Sequence, residues 1–311
     1  LLVGTTVLLK HSENVCGCAV ELEKLFLRAG FAEGVFQSII IKIAQIEKVI
    51  AHPVVQGVAL TGSERAGKAV GQLAGKYLKP SVLELGGSDP YIVLDDADLD
   101  LAVRTCATAR VKNAGQTCIA AKRIIITPGI YNDFAATFED IFHDFPFGDP
   151  LLEESGMGPL ARDDLRANLQ RQVDLSISSG ARLVMGGKIP EGPGYYYPAT
   201  MLTDAHPGMP VFDDETFGPV IPLIQARDTD DAIRLANTSR YGLGASIFSS
   251  DTEAAERIAR EQLDAGACFV NAQVSSTYLA PFGGVKCSGY GRELGEFGYL
   301  SFANIKTVYI D

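Results

Sequence analysis

The sequence predicts an α/β fold of two units, an incomplete doubly wound parallel sheet followed by a larger α/β domain. Three observations carry this. Short β-branched runs alternate with single helical stretches through the first 87 residues, the pattern of a helix-covered parallel sheet. Longer helical stretches then alternate with further apolar runs toward the end of the chain. Between the two lies Gly86-Gly87, where adjacent glycines permit a sharp bend.

Each element has its own signal. Leu1–Leu9 reads as a strand, clearest at Val7–Leu9. The chain opens inside that run, on Leu rather than Met, so an upstream stretch and any targeting segment are expected to be missing. Ala19–Ala29 is helical, with Val20, Leu22, Leu25, Phe26 and Ala29 on a broad apolar face and Gly30 closing it. Val35–Ile41 is a β-branched run, and Ile43–Ile50 a short helix ended by Pro53. Val54–Leu60 is a strand, Thr61-Gly62-Ser63 a turn, Glu64–Lys79 a helix and Ser81–Leu85 a strand.

Beyond Ser88, helical spacing covers Leu99–Val111, Tyr131–His143, Asp163–Ser179, Thr229–Thr238 and Thr252–Gln262. Strands are expected at Lys122–Thr127, Arg182–Met185, Val220–Ile224, Ala245–Phe248 and Cys268–Asn271, with Tyr195–Tyr197 as an edge strand. Pro281–Gly291 is glycine-rich and loop-like, and Ile305–Ile310 is a terminal β-run. The expected division is 1–87, 88–287 and a C-terminal return segment 288–311 that ends in a pairing strand.

The bulk numbers exclude several classes. Net charge is −11, the wrong sign for a nucleic-acid surface. No apolar run is long enough for a membrane span. Six cysteines scattered through 311 residues suggest reduced thiols, hence a cytoplasmic protein or one of the mitochondrial matrix. Cys16-Gly-Cys18 has no second cysteine pair, and His11, His52, His143 and His206 have no ligand spacing, so no metal is expected. The acidic run Asp95–Asp100 reads as helix capping and dipole compensation.

The strongest chemical signal is Asn113-Ala-Gly-Gln-Thr-Cys118-Ile, which follows Leu83-Glu84-Leu-Gly-Gly87. Cys118 comes after a helix end and a Gly115 turn, an exposed setting suited to a nucleophile. A thiolate adds readily to an aldehyde carbon. The hemithioacetal can give up hydride and become a thioester. Hydrolysis of that thioester calls for a base, and Glu84, 34 positions before the cysteine, is the candidate.

Glu84-Leu-Gly-Gly, Gly-Gln-Thr-Cys118, Glu215-Thr-Phe-Gly-Pro-Val220 and Pro281-Phe-Gly-Gly-Val-Lys286-Cys-Ser288-Gly, in that order, resemble the aldehyde dehydrogenase superfamily. Lys10-His-Ser-Glu13, Thr61-Gly-Ser-Glu-Arg-Ala-Gly67 and Glu84-Leu-Gly-Gly-Ser-Asp-Pro90 look most like its succinate-semialdehyde branch. The resemblance implies an incomplete cofactor-binding domain beside a catalytic domain, with Cys118 as nucleophile and Glu84 as general base. Glu215 would hold the nicotinamide ribose, with Phe217 against the nicotinamide. Gly62, Ser63, Gly67 and Leu85 would border the dinucleotide, the first two beside the pyrophosphate at a helix start. Lys10 and Glu13 would reach the adenosine ribose. A carboxylate there repels a 2′-phosphate, which favours NAD while leaving NADP possible.

The resemblance further implies a homo-oligomer, dimer or tetramer, joined through the terminal strand. It places Thr117, Ile119 and Val274–Tyr278 along an aldehyde tunnel. Glu293 is either a secondary proton relay or an ion-pair partner. Arg110, Lys112 and Lys122 are candidates to hold a remote substrate carboxylate, or are surface charges. The stretch missing upstream would carry strands of the cofactor domain and an asparagine of the oxyanion hole, whose loss typically costs about two to three orders of magnitude in rate.

The expected function is NAD-dependent oxidation of an aldehyde, succinate semialdehyde foremost, to its carboxylate. The alternative is a truncated, largely inactive fragment or silent subunit of such an enzyme. A thiol hydrolase would want a histidine partner for Cys118, and none lies near either motif. Glu84 favours release to water over release to coenzyme A.

Overall fold

A computed structural model describes residues 1–311. The chain forms two small sheets near its start and one large sheet afterwards. The first pair is β1 (Val7–Leu9) and β2 (Phe36–Ser38), parallel, connected through α1 (Cys16–Arg28). A short helix α2 (Ile46–Ile50) leads to β3 (Val58–Thr61), α3 (Glu64–Lys76) and β4 (Ser81–Glu84), and β3 and β4 are parallel. These are parallel β-α-β repeats, as the alternation predicts. β1 pairs only with β2, and β3 pairs on one side only, with β4. The two small sheets are therefore not hydrogen-bonded to each other, and each keeps an unpaired edge.

α3 illustrates how locally the sequence acts. The Ser63 hydroxyl caps the helix by accepting the Ala66 N–H at 3.3 Å. Gly67, Val70 and Ala74 recur at helical spacing and are the buried positions. They meet Leu83 and Leu85 in a four-residue core of Ile50, Val70, Leu83 and Leu85. The main core is far larger, with 46 buried residues, so the second part of the chain dominates burial.

That core surrounds a seven-stranded sheet. Its strands are β5 (Pro90–Val93), β6 (Arg123–Ile126), β7 (Arg182–Met185), β8 (Thr200–Thr203), β9 (Val220–Gln225), β11 (Gly244–Phe248) and β12 (Ala267–Val270), with the two-residue β10 (Tyr241–Gly242) just before β11. The spatial order is β12-β11-β5-β6-β9-β8-β7, parallel throughout except where β7 meets β8. Helices α4 (Leu99–Val111), α5 (Tyr131–His143), α6 (Asp163–Ser178), α7 (Pro210–Asp213), α8 (Thr229–Asn237) and α9 (Thr252–Glu261) connect the strands. Phe134, Phe138 and Phe142 form one buried face of α5, at the spacing of one helical turn. Asp98 caps α4 by accepting the Leu101 N–H at 3.0 Å, as the acidic run suggests.

The chain then returns. β13 (Val285–Lys286) pairs with β10, and β14 (Gly289–Tyr290) pairs antiparallel with β4, ahead of a last helix α10 (Gly295–Leu300). No helix is long and apolar enough to cross a membrane.

Several expectations need correction. Ile305–Ile310 pairs with no other segment of its own chain, and Ile305, Val308, Tyr309 and Ile310 are exposed. Tyr195–Tyr197 is irregular rather than an edge strand, with the Tyr197 hydroxyl donating to Gln170 at 3.1 Å. The Leu1–Leu9 strand shrinks to Val7–Leu9, and Val54–Leu60 to Val58–Thr61. β5 and β8 were not expected. Each is four residues long and buried on both faces, so neither shows the alternation that marks a half-exposed strand.

Candidate active site

The site forms where the small sheet meets the large one. β3 and β4 end at Thr61 and Glu84, while β5, β6 and β9 begin at Pro90, Arg123 and Val220. The link from β4 to β5, Leu85–Asp89, is buried throughout. Its two glycines supply room rather than a left-handed bend, since neither has a positive φ. A Cβ on Gly86 would strike the Glu215 carboxylate, and one on Gly87 would lie 2.8 Å from the Cys118 carbonyl oxygen. The fully buried Ser288 secures this link, donating to Gly86 O at 2.7 Å and accepting from Gly242 N. This explains why the Pro281–Gly289 motif accompanies the other two.

Cys118 sits on a tightly wound loop. Asn113, Ala114 and Gly115 all have positive φ, 55°, 52° and 73°. The Asn113 amide donates to Gln116 O at 3.1 Å, and Gln116 accepts the Ala161 N–H at 2.8 Å. The Cys118 N–H makes no hydrogen bond within the chain, which leaves it free for an oxyanion. The side chain is half-buried rather than exposed, because the loop packs under Leu85–Asp89. Burial pushes the thiol upward, and the Lys122 charge is the largest effect opposing that. No histidine is among the groups acting on it.

Glu84 is 4% exposed, so it is not a solvated carboxylate. Neither of its oxygens has a hydrogen-bond partner. Burial, then repulsion from Glu293, pushes it up to about 8, against the pull of Arg292. A carboxyl in this state can give or take a proton near neutral pH. Glu293 forms no ion pair, so the ion-pair alternative for it finds no partner.

Beneath Cys118 lies a layer of buried charge. Arg110 is fully buried and donates to the carbonyls of Ala121, Gly115 and Thr216 at 2.9–3.1 Å, and also to Gly218. It thus fastens the cysteine loop to the Glu215–Gly218 loop. Lys122, also fully buried, donates to Thr117 O at 3.0 Å and Cys118 O at 2.5 Å, and lies 3.1 Å from Glu215 Oε1. Arg123 donates to Ser88 O, Leu235 O and Ala236 O. Asp89 accepts the Gly244 N–H, and burial pushes it up to about 7. Arg110 and Lys122 are therefore neither surface charges nor free to hold a substrate carboxylate. Lys112 alone of the three candidates is exposed. Sequence reasoning passed over Asp89 and Arg123; the one available signal was charge placed directly against the apolar run Ile124–Ile126.

A cleft of about 550 Å³ opens beside this layer, with Ser63, Arg65, Lys68, Arg171, Glu215 and Arg240 among its lining residues. Ser63 and Glu215 are thus brought onto one cleft. Gly67 is buried against Leu85, and Gly62 donates its N–H to Glu84 O at 2.9 Å, which joins the ends of β3 and β4. Phe217 is half-buried on the Glu215 loop. A nicotinamide dinucleotide fits what is present: a 13-residue helix N-terminus beside Arg65 and Lys68 for a pyrophosphate, and a carboxylate for ribose hydroxyls. Lys10 and Glu13 stand apart from that cleft, at the end of β1 and the start of the following turn.

Known proteins share this arrangement. The chain is 50% identical over 308 residues to a succinate-semialdehyde dehydrogenase, NADP(+), of Deinococcus radiodurans, covering 99% of this chain and 64% of the relative. The crystal structure of succinic semialdehyde dehydrogenase from Streptococcus pyogenes with NADP+ superposes with a TM-score of 0.96 at 39% identity, over 99% of this chain and 68% of that one. An NAD-dependent aldehyde dehydrogenase from Sinorhizobium meliloti gives 0.94 at 37% identity, over 98% and 61%. The chain spans about two thirds of the length of the curated relatives it matches. The sequence profile of the aldehyde dehydrogenase family matches residues 1–308, and the chain belongs to that family.

Proposed function

We propose that the protein oxidises an aldehyde to a carboxylate through a thioester on Cys118, with NAD(P) as hydride acceptor and succinate semialdehyde as the aldehyde. The observation that carries this is a half-buried thiol, whose own N–H is free, on the loop that packs against Gly87, together with an unpartnered buried carboxyl at Glu84 just before that glycine. Cys118 Sγ adds to the aldehyde carbon, and its N–H stabilises the oxygen that gains charge. A dinucleotide bound in the cleft would take hydride from that carbon. Water then attacks the resulting thioester, Glu84 accepts the proton of the water, and the carbon–sulfur bond breaks to free the thiolate.

Cofactor identity turns on residues 10–13. The relatives' names put NADP ahead of NAD, against the preference drawn from Glu13 alone. Lys10, three residues before Glu13 at the end of β1, supports that order, because a 2′-phosphate there would meet an ammonium as well as a carboxylate. Lys112, exposed just before the cysteine loop, is the side chain proposed to attract the remote carboxylate of succinate semialdehyde. The exposed apolar run Ile305–Ile310 is proposed to pair with a second copy of the chain.

The test is formation of reduced dinucleotide by the purified protein and its Cys118→Ala variant, with succinate semialdehyde against a simple aliphatic aldehyde. Turnover by the parent, faster with the semialdehyde and absent in the variant, is expected. Equal turnover in both proteins contradicts the reading.

A further inference from the structure

Lys122 occupies a position that the reaction as described does not use. Its ammonium has three donors, and three acceptors surround it: Thr117 O, Cys118 O and Glu215 Oε1. Two belong to the nucleophile's loop and one to the wall of the dinucleotide cleft. The same Glu215 oxygen also accepts the Gly87 N–H at 3.1 Å. Asp89, on the link before β5, also acts on the group, and Arg123, next in sequence, acts in turn on Asp89. Arg110 also acts on Glu215. The side chain is wholly buried, so solvent does not screen these interactions.

We propose that Lys122 is a positioning residue that couples occupancy of the dinucleotide cleft to the reactivity of Cys118, because one ammonium holds both the Cys118 carbonyl and the Glu215 carboxylate. The inference rests on the functional reading above for the nucleophile and the cleft. Ribose hydroxyls donating to Glu215 draw on the carboxylate that now neutralises Lys122. The ammonium is then less compensated, and its field at Cys118, 2.5 Å from the Cys118 carbonyl, favours the thiolate more strongly. By linkage, a change at Cys118 alters dinucleotide affinity by the same factor.

The experiment measures the rate of Cys118 alkylation by iodoacetamide, followed by peptide mass mapping, from pH 6 to pH 10, with and without saturating NADP+. The parent chain is compared with Lys122→Met and Lys122→Gln, and NADP+ and NAD+ binding to each is measured by calorimetry. In the parent, dinucleotide accelerates alkylation about fivefold or more and moves the midpoint of the profile to lower pH. In Lys122→Met the midpoint lies higher and the response to dinucleotide is lost while binding persists. Lys122→Gln can still donate to a carbonyl but carries no charge. It recovers thermal stability relative to Met without recovering the pH profile, and it carries the test alone if the Met variant does not fold. Variants that bind dinucleotide and keep the parental midpoint and response overturn the coupling and leave the functional reading intact. A parent that binds neither dinucleotide overturns the functional reading and the coupling with it.

Discussion

Glu293 stands against Glu84 and raises it, with no salt bridge to either carboxyl. Glu84 also lacks any hydrogen-bond donor, so its proton is held to about pH 8 by burial first and by Glu293 second. As the base for thioester hydrolysis it becomes available only as pH rises through that value. Turnover limited by hydrolysis should therefore climb to a plateau with a midpoint at about 8. Glu293→Gln removes the like charge and moves the midpoint down, whereas Glu84→Gln abolishes the climb. Rapid-quench kinetics across pH checks both. The same shift sets a sign for stability. The folded carboxyl keeps its proton between its ordinary 4.5 and about 8, where the unfolded chain has lost it, so stability falls as pH rises through that window. Glu84→Gln cannot ionise and keeps no such dependence, so its denaturation midpoint should match the parent's below that window and exceed it increasingly toward alkaline pH.

Arg110 gathers carbonyls from three segments, one of them Thr216, 106 positions away. Arg110→Ala leaves those acceptors buried without donors, each worth about 1–3 kcal/mol. Loss of stability on the order of 3–5 kcal/mol is expected, read from urea denaturation. Activity should fall with it, because the cysteine loop and the Glu215 loop are no longer fastened together.

Lys112→Ala should behave in the opposite way. The side chain is exposed, so stability should change by no more than about 0.5 kcal/mol. KM for succinate semialdehyde should rise about fivefold, the ~1 kcal/mol of an exposed charge pair, while KM for an uncharged aldehyde stays put. A rise shared by both aldehydes removes Lys112 from substrate recognition.

Glu13→Gln tests the cofactor edge. Removing the carboxylate should raise kcat/KM for NADP relative to NAD about tenfold, or ~1.4 kcal/mol. Lys10→Ala should move the ratio the other way, and steady-state kinetics with both dinucleotides reads each change.

Much of this was legible in the sequence, for physical reasons. Helices such as Leu99–Val111 and Tyr131–His143 match their expected bounds because their apolar residues recur at 3.6-residue spacing over several turns. Glu84 and Cys118 were legible because each adjoins glycines whose Cβ-free backbone the site requires. Pro90–Val93 escaped because a short strand buried on both faces has no periodicity to read. Ile305–Ile310 finds no partner within its own chain, so its β-propensity can be expressed only against a second copy. Arg110 and Lys122 looked like surface charges because their acceptors are carbonyls of other segments, which only tertiary structure brings together.

The central claim is a thioester on Cys118, and its most direct test is to trap one. Glu84→Gln should form the acyl-enzyme and fail to hydrolyse it. Incubated with succinate semialdehyde and NADP+, this variant should gain the mass of one succinyl group less a hydrogen, mapped to the Cys118 peptide, together with one equivalent of NADPH. An adduct on another residue, or an identical adduct in Glu84→Gln that also carries Cys118→Ala, would contradict the account.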